Sequence, residues 1–484
     1  MHELNYKQIL VIGLGSSGLA ACELLRTRGA RVTVIDSADT GALRREGDRL
    51  GRLNIVVRLG VETLPDQPFD LAVLSPGVPC ESRLVRQVQE RRVPLIGELE
   101  LGYQQSLCLN VAITGTNGKT TTTEVVERML THANRKTIAA GNIGRPLCAV
   151  VDQTKELDIL TLEVSSFQLE TIGFFRPAVS VLLNLTPDHL DRYPTMADYI
   201  KAKARIFMNQ QPYDWAIIQS EALAQLRSLN LTIPSKIITF SAANRRADIY
   251  LDRGLLISRL PEWSGPLLDM DECQLSGPHN AENLMATLAV GRVLRVPLEQ
   301  MVAALKSYAP APHRCERVAE INGVTYINDS KATNLDAVHK ALLAMPWSGP
   351  GEPNIWLIAG GREKGFTFHD IGPLLSERVK GAFLLGEARE KIRAAWSLFT
   401  PCTLVASLLE AVSEASKRAV SGDIVLLSPA CSSFDMFQNY RDRGEVFRRA
   451  VLNLAETTTR ASEGRDTRGS DLKPGRAESA AYCL

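Results

Sequence analysis

The stretch Ile113-Thr114-Gly115-Thr116-Asn117-Gly118-Lys119-Thr120-Thr121 has the residue types that hold a phosphate chain. Gly115 and Gly118 let the backbone turn its N–H groups, from Gly115 through Thr116 and Asn117 to Thr121, toward an anion. A helix opening behind them adds unpaired donors and the positive end of its dipole. Lys119 can reach the outer phosphates, and the Thr120 hydroxyl is placed to ligate Mg²⁺. An apolar run, Leu109 to Ile113, leads in like a buried strand, and a helical segment from Thr120 to about Leu130 leads out. The spacing departs from the common phosphate loop, whose first Gly would stand where this chain has Ile113. GTNGKT is thus a shortened variant, with a plain Gly turn before an ordinary helix as the bland alternative.

A nucleoside triphosphate needs Mg²⁺ to neutralise charge on the transferred phosphoryl group. Thr120 offers one hard oxygen ligand. A carboxylate on a neighbouring strand end should offer another; Glu163 fits, with Asp188 and Asp191 as alternatives. His189, between two acids, reads as a second metal ligand, a general base or a structural histidine. Lys203, in Ala202-Lys203-Ala204-Arg205, lies on a following helix, where a solvated surface lysine is the common case.

The elements that must position these groups repeat one unit of strand, polar loop and helix. Gln8 to Leu14 reads as a strand, followed by GLGSSG (Gly13 to Gly18) and a helix; a second strand, Arg31 to Ile35, ends at Asp36. Taken alone this is the dinucleotide fingerprint. Strands at Asn54–Leu59 and Asp70–Leu74 follow, the latter ending in Ser75-Pro76-Gly77-Val78-Pro79 at a carboxyl end, where such sheets bind ligands. Further strands read at Lys136–Ala140, Asp158–Val164, Val179–Asn184 and Trp215–Gln219, and their continuous apolar character marks a parallel sheet covered on both faces. A hairpin around Asp252-Arg253-Gly254 reads as a small antiparallel piece. The last third repeats the unit with strands at Val324–Ile327, Asn354–Ala359 and Asp423–Leu427. The reading is an α/β chain of three domains: 1–105, Rossmann-like; 106–309, a phosphate-loop ATPase; and 310–455, a second Rossmann-like domain. Residues 456–484 are polar and read as a disordered tail.

The chain has 484 residues, 45% hydrophobic and 23% charged, in the range of an ordinary globular protein. A formal net charge of +1 gives no reason to expect nucleic acid or an anionic membrane as partner. No stretch approaches the roughly 20 apolar residues of a membrane span, and no secretory leader is visible. The nine cysteines are scattered without a CxxC pair, which fits reduced thiols and a cytoplasmic location.

GTNGKTTT, EVSSFQLE (163–170), DHLDRY (188–193), HNAEN (279–283), INDSKATN (327–334), GGREKG (360–365) and SPACSSFDMF (428–437), in this order, resemble the Mur ligases. The resemblance runs from about residue 7 to about residue 453. EVSSFQLE and SPACSSFD resemble the members that add D-glutamate to UDP-N-acetylmuramoyl-L-alanine. It implies a UDP-binding domain, a central ATPase and a C-terminal domain bringing the amino acid, which close on one another during the reaction. It implies ATP-driven activation of the L-alanine carboxylate as an acyl phosphate, then attack by the D-glutamate amine, in a cytoplasmic monomer.

Residue by residue, the resemblance puts the β- and γ-phosphates on Lys119 and the loop amides. One Mg²⁺ falls to Thr120 and Glu163 and a second to His189. It implies that Lys203 is carbamylated by CO₂ and faces the metal, which requires a lowered pKa; Lys201 is the competing choice. Asn280, Asn283, Arg314, Asp329 and Lys331 match positions around the adenine nucleotide. Thr333, Lys364, Ser433 and the backbone of Tyr440 match positions around D-glutamate. The UDP substrate falls to Ser16, Ser17, Asp36, Ser75, Gly77, Asn142 and His189. Ser37 and Ala38 depart from the family's Thr and Arg after the acid, so uracil recognition differs in detail. Tyr440 replaces a Phe, a change that a backbone contact tolerates.

Two other classes remain open at this point. A nicotinamide-dependent oxidoreductase led by GLGSSG leaves the GTNGKT loop, Glu163, His189 and Lys203 without a role. An ATP-driven binding module would use the loop without ligation.

Overall fold

Runs of Val, Ile and Leu, too short for helices and bounded by glycine-containing turns, make the strands of three sheets in the computed structural model. It describes residues 4–466 except Asp191, Glu262, Pro310, Ala311, Trp347, Ser348, Pro350 and 364–367, and no side chains in 457–466. The first sheet holds β1 (Gln8–Ile12), β2 (Arg31–Asp36), β3 (Val56–Leu59), β4 (Leu71–Leu74) and β5 (Leu95–Gly97). All pairings are parallel, in the order β3-β2-β1-β4-β5. The order reverses between β1 and β4, so the loops leaving these two strands frame the crevice where open sheets take ligands. GLGSSG follows β1, and Ser75-Pro76-Gly77 follows β4.

The second sheet has nine strands: β6 (Leu109–Thr114), β7 (Thr137–Gly141), β8 (Ile159–Glu163), β9 (Val179–Leu182), β10 (Trp215–Gln219), β11 (Lys236–Ser241), β12 (Ile249–Asp252), β13 (Leu255–Ser258) and β14 (Gly265–Asp269). Their order is β14-β13-β12-β11-β10-β9-β6-β8-β7, parallel from β7 to β12. β12, β13 and β14 form the expected antiparallel piece at one edge. β6 stands between β8 and β9, so its loop opens at the reversal of chain direction across the sheet. One face carries the helices Lys119–His132, Pro278–Val293 and Leu298–Lys306, with Val125, Met129, Leu284, Leu288 and Met301 in one buried cluster.

The third sheet holds β15 (Glu316–Ile321), β16 (Val324–Asn328), β17 (Ile355–Gly360), β18 (Val379–Leu385), β19 (Cys402–Leu404) and β20 (Ile424–Leu427), in the order β15-β16-β20-β17-β18-β19. Only the β15–β16 pair is antiparallel.

The chain divides into two compact units, Met1–Pro310 and Ala311–Leu484. The first two sheets therefore belong to one unit. A single buried cluster runs from Ala21, Cys22 and Leu25 through Leu99 and Leu101 to Leu147, Val150 and Phe175. The last helix, Tyr440–Asp466, runs past residue 456, the expected start of the polar tail. Its buried turn, Phe447, Ala450 and Val451, anchors the helix, and propagation carries it past residue 456. Residues 467–484 lie outside the described residues.

Candidate active site

The loop leaving β6 is clamped by the neighbouring strand ends. Asn184, past β9, accepts from Asn117 N through Oδ1 (2.8 Å) and donates from Nδ2 to Asn117 O (3.0 Å). Its own carbonyl accepts Thr116 N at 3.0 Å. Thr116 Oγ1 meets Thr186 O at 3.0 Å and the Tyr199 hydroxyl at 3.2 Å. Gly118 has φ +85° and starts the helix Lys119–His132; a Cβ there would lie 2.3 Å from Asn283 Oδ1. Only glycine permits both that conformation and that approach. Asn283 Oδ1 also accepts from Thr122 Oγ1 (3.2 Å), and Asn283 Nδ2 donates to Asn280 Oδ1 (3.2 Å). The HNAEN segment thus opens the helix Pro278–Val293 against the phosphate loop.

Lys119 folds back, donating to Gly115 O and Thr116 O, both at 2.8 Å. Lys203 donates to the same Gly115 carbonyl at 2.9 Å and sits 4.8 Å from the Tyr199 ring centroid. Lys203 is buried and Lys201 is exposed, which separates the two competing lysines. Burial, then repulsion from Lys119, holds the Lys203 amine well below the usual lysine range, against a smaller pull from Asp188 and Glu163. Glu163 ends β8; its Oε1 accepts from Asn142 Nδ2 at 2.7 Å. Its Oε2 is buried and, among the described residues, meets no hydrogen-bond donor. A buried carboxylate oxygen in that state is an acceptor suited to a cation. Asp188 is buried, and its Oδ1 accepts the backbone N–H of His189 at 2.9 Å. His189 has φ +55°, and its Nε2 lies 3.7 Å from Asp188 Oδ2. Asp191 lies outside the described residues. No group of three or more His, Cys, Asp or Glu side chains among the described residues is arranged to hold a metal ion. A Mg²⁺ here would therefore take part of its shell from phosphate and water, as Mg²⁺ commonly does.

In the first sheet, the glycine loop packs tightly enough that a Cβ on Gly18 would lie 1.8 Å from Gly13 O. Ser16 and Ser17 open the helix Ser16–Thr27. Ser75 is buried and Gly77 exposed in the turn after β4. Asp36 closes on its own surroundings: Oδ2 accepts Leu14 N (2.7 Å) and Oδ1 accepts Ala38 N (2.8 Å). Its carboxylate therefore holds the two loops in shape.

In the second unit, the loops leaving β16, β17 and β20 meet at Arg443. This buried guanidinium donates to Ser330 Oγ (3.0 Å), Ser330 O (2.8 Å) and Cys431 O (3.1 and 3.2 Å). Ser330 Oγ donates to the Tyr440 carbonyl at 2.7 Å, so that backbone acceptor is already engaged. Lys331 Nζ lies 4.1 Å from the Tyr440 ring centroid. Asp329 accepts from Ser428 Oγ (3.0 Å) and Cys315 N (3.2 Å), and burial raises its carboxyl to about 7. The hydrogen bonds from Ser428 and Cys315 and the charge of Arg314 pull against that rise. Ser433 is buried, Thr333 is half-buried, and Lys364 lies outside the described residues.

Sequence reasoning did not single out Asn184, Tyr199, Glu170, Arg192 or Arg443 for a role. Asn184 ends a quoted strand, and Glu170 and Arg192 stand inside the quoted EVSSFQLE and DHLDRY motifs. Only the fold shows that they reach across to other loops.

Three family models match the chain. They are a Mur ligase MurD-like N-terminal domain over residues 7–97, a Mur ligase middle domain over 113–291 and a Mur ligase glutamate ligase domain over 313–431. The UDP-N-acetylmuramoylalanine--D-glutamate ligase of Acidobacterium capsulatum is 41% identical over 455 residues, covering 93% of this chain and 97% of its own. The proteins of that name from Koribacter versatilis and Pelotomaculum thermopropionicum are each 39% identical, covering 94% of this chain and 99% of theirs. Among solved structures, the MurF ligase of Thermotoga maritima in complex with ADP superposes with a TM-score of 0.59 at 17% identity, covering 94% of this chain and 100% of its own. A pseudomurein peptide ligase type C from Methanothermus fervidus gives 0.58 at 18%, covering 93% and 100%. At these identities the two structures speak to fold alone.

Proposed function

Because the chain belongs to the Mur ligase family, we propose that it is the ATP-dependent ligase that joins D-glutamate to UDP-N-acetylmuramoyl-L-alanine in peptidoglycan precursor synthesis. The observation that carries this reading is likeness of about 40% along nearly the whole length of relatives bearing that activity in their names. It is joined by a built phosphate loop with two buried acids and a buried lysine beside it.

The L-alanine carboxylate attacks the γ-phosphoryl group of ATP, ADP leaves, and an acyl phosphate forms. The D-glutamate amine attacks that carbonyl, and the tetrahedral intermediate expels phosphate. ATP thus turns a poor leaving group into a good one, and the protein's part is positioning and charge stabilisation. Lys119 exchanges the carbonyls of Gly115 and Thr116 for phosphate oxygens, and the amides from Gly118 onward cradle the chain, since those of Thr116 and Asn117, expected to face the phosphates, are taken by Asn184. Asn280 and Asn283 hold the second helix against this loop. Asn280, Asn283, Arg314, Asp329 and Lys331 are assigned to the adenine nucleotide, Thr333, Lys364, Ser433 and Tyr440 to D-glutamate, and Ser16, Ser17, Asp36, Ser75, Gly77, Asn142 and His189 to the UDP substrate.

The same reading takes two Mg²⁺ ions, one on Thr120 and Glu163 and a second on His189, with a carbamylated Lys203 facing the metal. Bound there, Mg²⁺ neutralises charge on the phosphoryl group in transfer. The unpartnered Glu163 Oε2 supports the first position. A buried amine with a depressed pKa has the neutral form that reaction with CO₂ requires. A cytoplasmic, monomeric enzyme belongs to the same proposal.

Phosphate release by the purified protein with ATP, Mg²⁺, UDP-N-acetylmuramoyl-L-alanine and each candidate amino acid tests the reading. D-glutamate is expected to be the productive acceptor. Product with another amino acid and none with D-glutamate overturns the specificity, and NADH turnover without ATP overturns the class.

A further inference from the structure

We propose that Arg192 is a positioning residue that latches the turn after β4 to the loop carrying His189, and so fixes the UDP-substrate anchor relative to the phosphate loop. The proposal rests on the functional reading above for what the two loops hold, but the latch itself stands on geometry. Arg192 NH1 donates to Pro76 O at 3.2 Å, inside the turn Ser75–Pro79. Its NH2 donates to Glu170 Oε2 at 2.6 Å, and both partners of this pair are mostly buried. The same carboxylate accepts the Tyr193 hydroxyl through Oε1 and, at 3.4 Å, the Cys80 thiol beyond the turn. One carboxylate thus gathers donors from both sheets of the unit. Burial, then the charge of Glu170, pushes the Cys80 thiol up to about 12, so it stays a neutral donor.

The guanidinium also lies 4.0 Å from the Phe167 ring centroid, and the edge of that ring meets His189 at 4.8 Å. Phe167 stacks on Tyr193 at 6.0 Å, and Tyr193 packs on Tyr199 at 5.3 Å. Tyr199 reaches the Thr116 hydroxyl of the phosphate loop. At the other end, the turn packs on the glycine loop: a Cβ on Gly13 would lie 2.7 Å from Val78 Cγ2. The contacts therefore form one chain from the substrate crevice of the first sheet to the phosphate loop of the second, with Arg192 its only charged link to the turn's backbone among the described residues.

Carboxylate and γ-phosphate must meet within bonding reach, and a small misplacement of either costs about 100-fold in rate. The test is Arg192→Met in the full chain, which keeps a flexible apolar stem over Phe167 and removes both hydrogen bonds. Without any substrate, amide hydrogen exchange is expected to rise together at Gly77, Val78 and Cys80 and at His189, residue 192 and Tyr193, with protection elsewhere unchanged. In the ligation assay, kcat is expected to fall roughly 10- to 100-fold while the KM for ATP stays within about twofold. Glu170→Gln, which keeps an acceptor oxygen for Arg192, is expected to lose markedly less. Unchanged exchange in both segments, or unchanged kcat, overturns the latch. So does a KM for ATP and a melting temperature that move in step with kcat, the mark of general loosening. Coupled exchange in a protein that fails to use D-glutamate leaves the latch standing and overturns the functional reading instead.

Discussion

At φ +85° Gly118 occupies the left-handed region, and Asn283 Oδ1 fills the space where a side chain would go. Gly118→Ala must accept about 1 kcal/mol of backbone strain and also drive Asn283 from its bonds with Thr122 and Asn280. It is expected to raise the KM for ATP at least about tenfold and to lower the melting temperature. Gly422→Ala is the control: φ is +92°, but nothing lies within 4 Å of the added methyl, so strain acts alone and the KM for ATP holds. Equal effects of the two variants on nucleotide binding would refute a role for the Asn283 contact. Lys203 makes a second residue-scale prediction. Lys203→Ala is expected to abolish ligation; a small carboxylate such as acetate is expected to restore part of it, and bicarbonate none. Lys201→Ala, on the exposed face, is expected to keep full activity. Full activity in Lys203→Ala overturns the metal-facing role. The places of Lys119 and Thr120 at a helix start and of Glu163 at a strand end could be read from the sequence because glycine spacing and an apolar run fix them locally. Asp36 read as a ligand group from its place at a strand end; that its oxygens also accept Leu14 N and Ala38 N is set by loop curvature, which spacing does not reveal.

Among the elements, EVSSFQLE is a capping box: Ser165 Oγ accepts Gln168 N at 3.3 Å and Gln168 Oε1 accepts Ser165 N at 2.9 Å. This short helix, Ser166–Leu169, therefore sets Phe167 and Glu170 in fixed directions just past Glu163 at the end of β8. The helix Glu98–Gln105 starts on a different device. Glu98 is wholly buried, and burial raises its carboxyl from 4.5 to about 7 against the hydrogen bonds from Cys148. The folded state thus holds the proton more tightly than the unfolded chain does. That contribution is complete below pH 4.5 and is lost as pH rises to about 7. The loss is on the order of 3 kcal/mol. Glu98→Gln cannot ionise and should flatten the decline of melting temperature between pH 5 and 7, leaving the variant more stable than the parent at pH 8. A slope identical to the parent's would show that Glu98 ionises freely in the fold. In the second unit, Arg443→Met should strand buried carbonyls of Ser330 and Cys431 at about 1–3 kcal/mol each. A clear fall in melting temperature by calorimetry is expected; no fall would mean the loops hold without it. Strand legibility followed the continuity of the apolar run. β6, β8 and β10 are continuous apolar runs and stand near their expected places, whereas β18 is broken in sequence by Gly381. That glycine serves packing, since a Cβ there would lie 2.7 Å from the Trp356 ring. β14 and β19 are short edge strands with little pattern to read.

For the whole molecule, repeated strand–loop–helix units announced three sheets, but periodicity says nothing of which sheets share a core. That depends on faces meeting across long sequence distances. The helix Ser16–Thr27 buries Ala21, Cys22 and Leu25 in the cluster that also holds Leu147, Val150 and Phe175, far along the chain. At Gly102 a Cβ would lie 2.5 Å from Leu147 Cγ, so the helix Glu98–Gln105 closes on the same residues. Cutting the chain after residue 105 would expose several such side chains at roughly 1.5–3 kcal/mol each. A small domain holds only about 5–15 kcal/mol in total. A fragment of residues 1–105 is therefore expected to lack a cooperative thermal transition, although its five-stranded sheet looks self-sufficient. A fragment of residues 4–309 keeps the shared cluster and is expected to unfold cooperatively. The third sheet has its own clusters, around Leu357, Leu375 and Trp396 on one face and Phe383, Val425 and Phe447 on the other. A fragment of residues 312–466 is likewise expected to unfold cooperatively, as followed by circular dichroism and calorimetry. A sharp transition in the 1–105 fragment would show that the first sheet is a domain in its own right, and that the shared cluster is an interface between two finished cores.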